Sequence, residues 1–560
     1  MNKLAAWIPL IGTLKNYDRK TDLRGDLQAG LTTAVMLVPQ AMAYAMLAGL
    51  DPIIGLYASV VPVVLYAFFG SSRQLAVGPV AMVSLLVATG VGGLAEPGSP
   101  EYLALAILLA GMVGVVQLLM GLFRMGALVR LLSHPVVSGF TSAAALIIGF
   151  SQLKHLLGVD IERSHHVHSI LIQAVSMFEQ WHLPTLGLGA AGIALLMGLK
   201  KFVPRFPRAL AVVVLGVLAV LVLGLDEQGV KIVGSVPAGL PMPSLPGLDT
   251  ELMGSLVPTA LTIALVSTME SVSVAKAIAR KNRYAIDANK ELVGLGFANL
   301  GAALFSGYPV TGGFSRTAVN DQAGARTPVA SLVTAGMVAL TLLFLTPLFH
   351  DLPKAVLAAI IMTAVFGLVD LAEVKHLWKV SKSDLVLLLL TFFGTLGLGI
   401  EPGIAIGVGA SVVAFLWRQA RPRIAVLGRE DRTGRWRDVS EVEVKEQPGV
   451  LALRVHGPLF FANADSVKQA VEGALAEREG VKVVLLSATA ITEVDASADA
   501  MLHELLASLE RQDIELHLAG VRPPLLRSLE RSHLIDKLGP ERLHPACDQA
   551  VQELKSGLAA

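Results

Sequence analysis

In the stretch Ser267-Thr268-Met269-Glu270-Ser271, an acid and three hydroxyls interrupt an otherwise apolar run from about 255 to 278. A run of that length and composition reads as a membrane-spanning helix. An ionisable side chain inside such a helix is costly, so its default reading is functional. Glu270 precedes Arg280 by about ten residues, which at a helical rise sets it about 15 Å deep, near the bilayer midplane. The competing reading is a structural carboxylate paired within the bundle. Arg316, beside Ser315, opens a second unusual segment. It sits in the first turn of a short run at 313–324, just after Gly307-Tyr308-Pro309-Val310-Thr311-Gly312-Gly313. A buried arginine requires an anionic partner. The start of a helix adds free N–H groups and about +0.5 of dipole charge. A similar short run, 78–93, opens at Gly78-Pro79 after Ser71-Ser72-Arg73-Gln74. If the two helix starts converge, Arg316 and both ends form a positive, donor-lined pocket that suits an anion. The alternative is that Arg316 only locks the fold by pairing with Glu270. Gln40 and Tyr44 lie four apart on one helix face, where they could contact a substrate or form an ordinary polar pair.

Other residues point to nothing specific. His165, His166 and His168 share one connection without acidic or cysteine partners, so a surface cluster is favoured over a metal site. Gly403 and Gly407 permit close helix packing, within the chain or between two chains. Ser497 reads as a helix N-cap. The single cysteine, Cys547, excludes a disulfide framework and any multi-cysteine metal site. No phosphate-binding loop, hydrolase elbow or zinc-protease motif is present. The expectation is a protein that is not an enzyme and needs no cofactor or metal.

These residues need a membrane body to hold them. The chain is 54% hydrophobic and 16% charged, with a mean hydropathy of +0.64. Soluble domains carry roughly a quarter charged residues, so a purely soluble protein is excluded. Net charge is only +1, which argues against a nucleic-acid partner. The N-terminus lacks the pattern of a cleavable signal peptide. Only helices or closed barrels can cross a bilayer. The Leu-, Ala-, Val- and Gly-rich runs read as about fourteen helical spans, two of them short. The first seven lie near 27–47, 53–70, 78–93, 101–122, 134–153, 184–200 and 207–225. The second seven lie near 255–278, 288–305, 313–324, 329–347, 353–370, 383–399 and 402–418. With a cytoplasmic N-terminus, most of the Lys and Arg in the connections falls inside, the positive-inside pattern. An even span count also returns the C-terminus to the cytoplasm. The short third and tenth spans stand at matching places in two halves of seven. Short, Gly/Pro-interrupted segments so placed point to inverted repeats around a midplane site.

By contrast, roughly 40 of the charged residues follow Trp417. There the pattern becomes strands at Val450–His456, Val481–Ser487 and Ile514–Ala519, with helices at Asp465–Arg478 and Ser497–Arg511, a small α/β domain. Arg429 to Arg437 reads as a charged loop or hairpin tip. The domains are therefore a cytoplasmic segment at 1–26, a transporter body at 27–418 with repeats near 27–225 and 255–418, and a linker with the α/β domain at 419–560.

Three stretches make the chain resemble the SulP anion-transporter family, which contains bacterial sulfate permeases, plant sulfate transporters, prestin and pendrin. The first runs from Pro39-Gln40-Ala41-Met42-Ala43-Tyr44-Ala45 through Gly55-Leu56-Tyr57. The second runs from Gly70-Ser71-Ser72-Arg73 through Val77-Gly78-Pro79-Val80-Ala81. The third, the most specific, runs from Asn289-Lys290-Glu291 through Gly301, Pro309, Gly312 and Gly313 to Phe314-Ser315-Arg316-Thr317-Ala318-Val319-Asn320. The C-terminal domain resembles a STAS domain. The resemblance implies an α-helical polytopic membrane protein of two inverted seven-span repeats, with core and gate domains, followed by a cytoplasmic STAS domain. It also implies a homodimer. It places an anion at Gln40, Tyr44, Val80, Ala81, Phe314, Ser315 and Arg316, with Glu270 where many proton-coupled members hold a glutamate. Sodium-coupled members have an aspartate there with a threonine one turn on. This chain has Glu270 and then Val274, which departs from that pattern, and a motor role like prestin's is disfavoured.

The expected function is proton-coupled uptake of a small anion, sulfate foremost, across the inner membrane of a bacterial cell. Arg316 and two helix ends sum to roughly +2. With Glu270 protonated, a dianion would balance the site; with Glu270 ionised, it would compete for Arg316. The alternatives are bicarbonate or a dicarboxylate such as fumarate or succinate, uncoupled exchange, or a membrane-anchored regulator whose STAS domain docks a partner.

Overall fold

The computed structural model describes residues 8–126, 133–162, 167–203, 207–244, 250–430 and 434–558. The chain divides into two compact units, Met1–Ser411 and Val412–Ala560.

The first unit is helical, and a helix stands at each of the apolar runs. Among the described residues, nine stretches are long and apolar enough to cross a membrane by length and composition. Two further helices, Val167–Ser176 and Leu371–Val380, stand between the runs. They are only ten residues each, so a search for long apolar stretches passes over them. The first long helix, α1 (Asp22–Ala48), starts five residues ahead of its apolar run. Those extra turns carry buried Asp26, which accepts hydrogen bonds from the N–H groups of Arg326 (2.8 Å) and Thr327 (2.9 Å) and from the Thr327 hydroxyl. A carboxylate that would be costly in an apolar interior is thereby fully satisfied. Gly55 of the helix Pro52–Tyr57 presses on the backbone of Ala41 in α1, where no Cβ could fit.

The two short runs are half-helices, α2 (Ala81–Gly92) and α4 (Phe314–Gln322). Each is preceded by a two-residue strand, β1 (Val77–Gly78) and β2 (Thr311–Gly312). The strands pair antiparallel, Val77 with Gly312 and Gly78 with Thr311. Because the strands run in opposite directions, the helices that follow them diverge, and their N-termini face each other across the strand pair. A longer helix, α3 (Thr250–Lys281), carries the polar stretch around Glu270.

The second unit is a six-stranded sheet in the order β4-β3-β5-β6-β7-β8. Its strands are β3 (Arg423–Arg429), β4 (Trp436–Asp438), β5 (Val450–His456), β6 (Val483–Ser487), β7 (Glu515–Ala519) and β8 (Leu543–His544). The pairs from β5 to β8 are parallel, while β3 pairs antiparallel with β4 and β5. Arg429 and Arg437, which bound the charged stretch, thus belong to the paired strands β3 and β4, and residues 431–433 lie outside the described residues. The helices Ala464–Ala476 and Ala496–Glu510 cover one face, where Leu451, Leu453, Val484, Leu486, Leu516 and Leu518 alternate inward. The C-terminal helix α5 (Cys547–Leu558) covers the other. Ser497 is not the N-cap. Asp495 is, its carboxylate accepting from Ala498 N at 2.9 Å, and Ser497 is an exposed residue of the first turn.

Candidate functional site

Polar side chains spaced far apart in the chain hold the β1–β2 crossing in place. Ser271 of α3 accepts from Gly312 N (2.9 Å) and hydrogen-bonds Thr311 Oγ1 (2.7 Å), and the Thr311 hydroxyl donates to the Ser267 carbonyl (2.9 Å). Asn299 brackets Val310, accepting from its N–H (2.8 Å) and donating to its carbonyl (3.1 Å). Gln117 joins Asn299 to Ser267 and Thr268. On the β1 side, Thr317 accepts from Ala76 N (3.0 Å) and Asn320 donates to the Gln74 carbonyl (2.9 Å). Backbone groups that would otherwise lack partners in an apolar body are paired this way. The hydroxyls flanking Glu270 therefore position the strand pair.

Ahead of β1, buried Glu291 gathers the chain. It accepts from Tyr66 OH (2.5 Å), Ser71 N (2.8 Å), Ser71 Oγ (2.6 Å) and Ser72 N (2.8 Å). Glu291→Ala removes the acceptor shared by these four donors. Unmade hydrogen bonds to a charged group should cost about 3 kcal/mol or more. The expected result is a melting temperature several degrees lower in detergent, read by thermal denaturation.

Neither half-helix is capped by a side chain at Val80 or Gly313. Their first N–H groups therefore remain available to a ligand. Arg316, 1% exposed, donates from Nη1 to the Pro79 carbonyl at 2.6 Å, so its guanidinium reaches from one half-helix to the start of the other. Its Nε and Nη2 are buried without partners, and so are Glu270 Oε2 and Gln40 Oε1. Arg316 and Glu270 are not locked in an ion pair, which removes the purely structural pairing considered for them. Gly313 makes room for Arg316, because a Cβ there would lie 2.9 Å from the guanidinium carbon. Gly313→Ala should displace that group at a cost of about 1–3 kcal/mol. The expected outcome is transport lowered about tenfold or more in a protein that still folds, checked by uptake and melting measured together.

A cavity of about 2000 Å³ meets this site. It is lined by Gln40, Tyr44, Val80, Ala81, Glu270, Phe314, Ser315 and Arg316, so all eight residues singled out from the sequence border one space. Gln40, Tyr44, Val80 and Ala81 are buried, whereas Phe314 and Ser315 are exposed to the cavity. The lining runs to the N-terminal turns of α1 (Gln28, Leu31) and to Lys200, Lys201, Arg208 and Lys276. Among the described residues, these four cations and Arg316 face one carboxylate, Glu270. A separate, smaller space of about 80 Å³ lies near Leu47, Leu85 and His155.

Other residues resolve plainly. Gly403 and Gly407 pack against Thr395 and Thr391 of the neighbouring helix Lys382–Leu398, so their close contact lies within the chain. Among the described residues no group of three His, Cys, Asp or Glu could hold a metal. His165 and His166 lie outside the described residues. The roles of Gln117, Glu291 and Asn299 were missed from sequence; the available signal was a polar residue within an apolar run.

The family model described as the sulfate permease family matches residues 23–391, and that of the STAS domain matches residues 441–550. "Sulfate transporter 4.1, chloroplastic" of Arabidopsis thaliana is 40% identical over 581 residues, covering 99% of this chain and 84% of its own length. A protein named "Probable sulfate transporter" in Mycobacterium tuberculosis is 36% identical over 553 residues and covers 98% of both chains. Among solved structures, the murine Solute Carrier 26 family member A9 anion transporter in the inward-facing state superposes with a TM-score of 0.91. It is 24% identical, over 98% of this chain and 94% of that one, a likeness of fold. The transmembrane domain of a cyanobacterial bicarbonate transporter, BicA, gives a TM-score of 0.60 at 25% identity, over 70% of this chain and 97% of that one. Family model, full-length relatives and fold agree: this multi-pass chain belongs to the sulfate permease family and carries a C-terminal STAS domain.

Proposed function

We propose that the chain takes up a small oxyanion, sulfate foremost, together with a proton, by alternating access. The observation that carries this reading is the set of buried, unpartnered polar atoms of Arg316, Glu270 and Gln40, which border one cavity between two uncapped helix starts. Unpartnered buried polar groups are costly and rare, and here a cation, an acid and an amide converge on one space. Gln40, Tyr44, Val80, Ala81, Phe314, Ser315 and Arg316 surround the anion, and Glu270 takes the proton. Arg316 with two helix ends supplies roughly two positive charges. A dianion beside a protonated Glu270 balances them. Proton and dianion each lower the cost of holding the other, and such coupling is reciprocal.

The cation-lined mouth supports an inward-open arrangement, with Lys200, Lys201, Arg208 and Lys276 at the cytoplasmic end by the positive-inside rule. Focused positive charge there raises the local concentration of anions. The reading further assigns fourteen spans at 27–418 as two inverted repeats, a linker and STAS domain at 419–560, both termini in the cytoplasm, a bacterial inner membrane and a homodimer. The names of the full-length relatives support sulfate over other anions. Bicarbonate, named for one structural neighbour, is the competing substrate. A thermal-shift screen of purified protein with sulfate, bicarbonate and dicarboxylates at two pH values tests the choice. Sulfate should stabilise the protein most, and more at the lower pH. Stabilisation by bicarbonate or a dicarboxylate alone would overturn it.

A further inference from the structure

In the second unit, four titratable side chains form an unbroken line along one face of the sheet. His517 of β7 and His544 of β8 are both buried, with rings stacked at 5.2 Å. His517 Nδ1 lies 2.9 Å from His544 Nε2. The outer nitrogens each meet a carboxylate, His517 Nε2 at 3.0 Å from Glu515 Oε2 and His544 Nδ1 at 2.8 Å from Glu553 Oε2. Glu553 belongs to the C-terminal helix α5, so the line ties that helix to the sheet.

Proton counting restricts what this geometry can hold. Each of the three contacts is a hydrogen bond only if it contains a proton. Two neutral imidazoles carry two N–H groups between them, which leaves one contact as two facing lone pairs or as a lone pair facing a carboxylate. Two imidazolium rings carry four, which drives two N–H groups against each other between the rings. Three protons satisfy every contact. We propose that the His517–His544 pair is a proton-binding site that holds one shared extra proton, and that this proton fastens β8 and α5 to the sheet.

The surroundings agree. Glu515 and Glu553 flank the pair, and Arg542 approaches Glu515 at 3.5 Å. On the same face Cys547 is buried, while Asp548 is engaged by Trp436 at 3.0 Å and by Arg429 at 3.6 Å. Burial holds the His517 imidazole below the usual histidine range, a shift partly offset by Glu515 and reinforced by His544. With three protons in the line, one ring is neutral and the other carries two N–H groups. For His517 the sign is that of a depressed pKa: its contribution is present above the ordinary histidine value and is lost as pH falls through the lowered one. Loss of the shared proton at high pH breaks the line from the other side. The pair titrates as a unit, so its two steps belong to the dyad rather than to either ring.

The test is hydrogen–deuterium exchange of the full-length protein at about pH 5, about pH 7 and about pH 9, corrected for the intrinsic pH dependence of exchange. Peptides covering residues 543–554 should be about tenfold or more better protected at the middle pH than at either extreme, the scale of a lost charged hydrogen bond. Peptides of β5 should show no such maximum. His517→Gln and Glu553→Gln should each flatten the profile. Equal corrected protection of residues 543–554 at all three pH values in the wild-type protein would overturn the proposal without recourse to any variant. So would an unchanged maximum in both variants.

Discussion

Arg316→Gln is expected to abolish sulfate uptake and to erase the thermal stabilisation by sulfate, while the protein stays folded. Glutamine can still donate to the Pro79 carbonyl, the one hydrogen bond that the guanidinium makes across the two half-helices. What it lacks is the charge and the second donor edge, Nε and Nη2, which face the cavity without partners. Removing one partner of a buried, hydrogen-bonded charge pair costs about 2–5 kcal/mol, or roughly thirtyfold in affinity at the least. Arg316→Lys should restore only part of this, since an ammonium keeps the charge but cannot present the planar fork that matches an oxyanion. The check is uptake of labelled sulfate alongside a melting curve. A melting temperature that collapses in both variants would assign Arg316 to the fold.

Glu270→Gln is expected to separate transport from its driving force. The amide imitates the protonated carboxyl in shape and charge, so the anion still binds and exchange continues. Concentrative uptake is lost because no proton can be gained or released at that position. At zero membrane potential a gradient of about one pH unit is worth about 1.4 kcal/mol per coupled proton, or about tenfold accumulation. In the variant the accumulation ratio should fall to about one, and the exchange rate should no longer change with pH.

The charged members of the candidate site stand out in the sequence because an ionisable residue inside an apolar run has few ordinary explanations. Glu270 and Arg316 both met that test, and Gln40 met a weaker one. The half-helices were legible from their shortness and from the Gly-Pro and Gly-Gly steps that open them. What holds these elements was not legible. Glu291 serves Ser71 and Ser72 from 220 and 219 positions away, and Asn299 meets Gln117 across 182. No local pattern encodes such a pairing, because the partners become neighbours only once the helices pack. The relation between Arg316 and Glu270 was also left open by sequence. A direct pair was the alternative to an anion pocket, whereas the guanidinium donates to the Pro79 carbonyl. In the second unit, Ser497 and Asp495 were equally acceptable as caps by residue type.

The proposed coupling of sulfate to protons at Glu270 is tested most directly by labelled-sulfate uptake into proteoliposomes, with membrane potential clamped and an inward proton gradient imposed. Wild-type protein should accumulate sulfate above equilibrium, lose that accumulation when the gradient is collapsed, and lose it equally through Glu270→Gln. Accumulation that is indifferent to the gradient, or that persists in full in Glu270→Gln, would contradict the coupling.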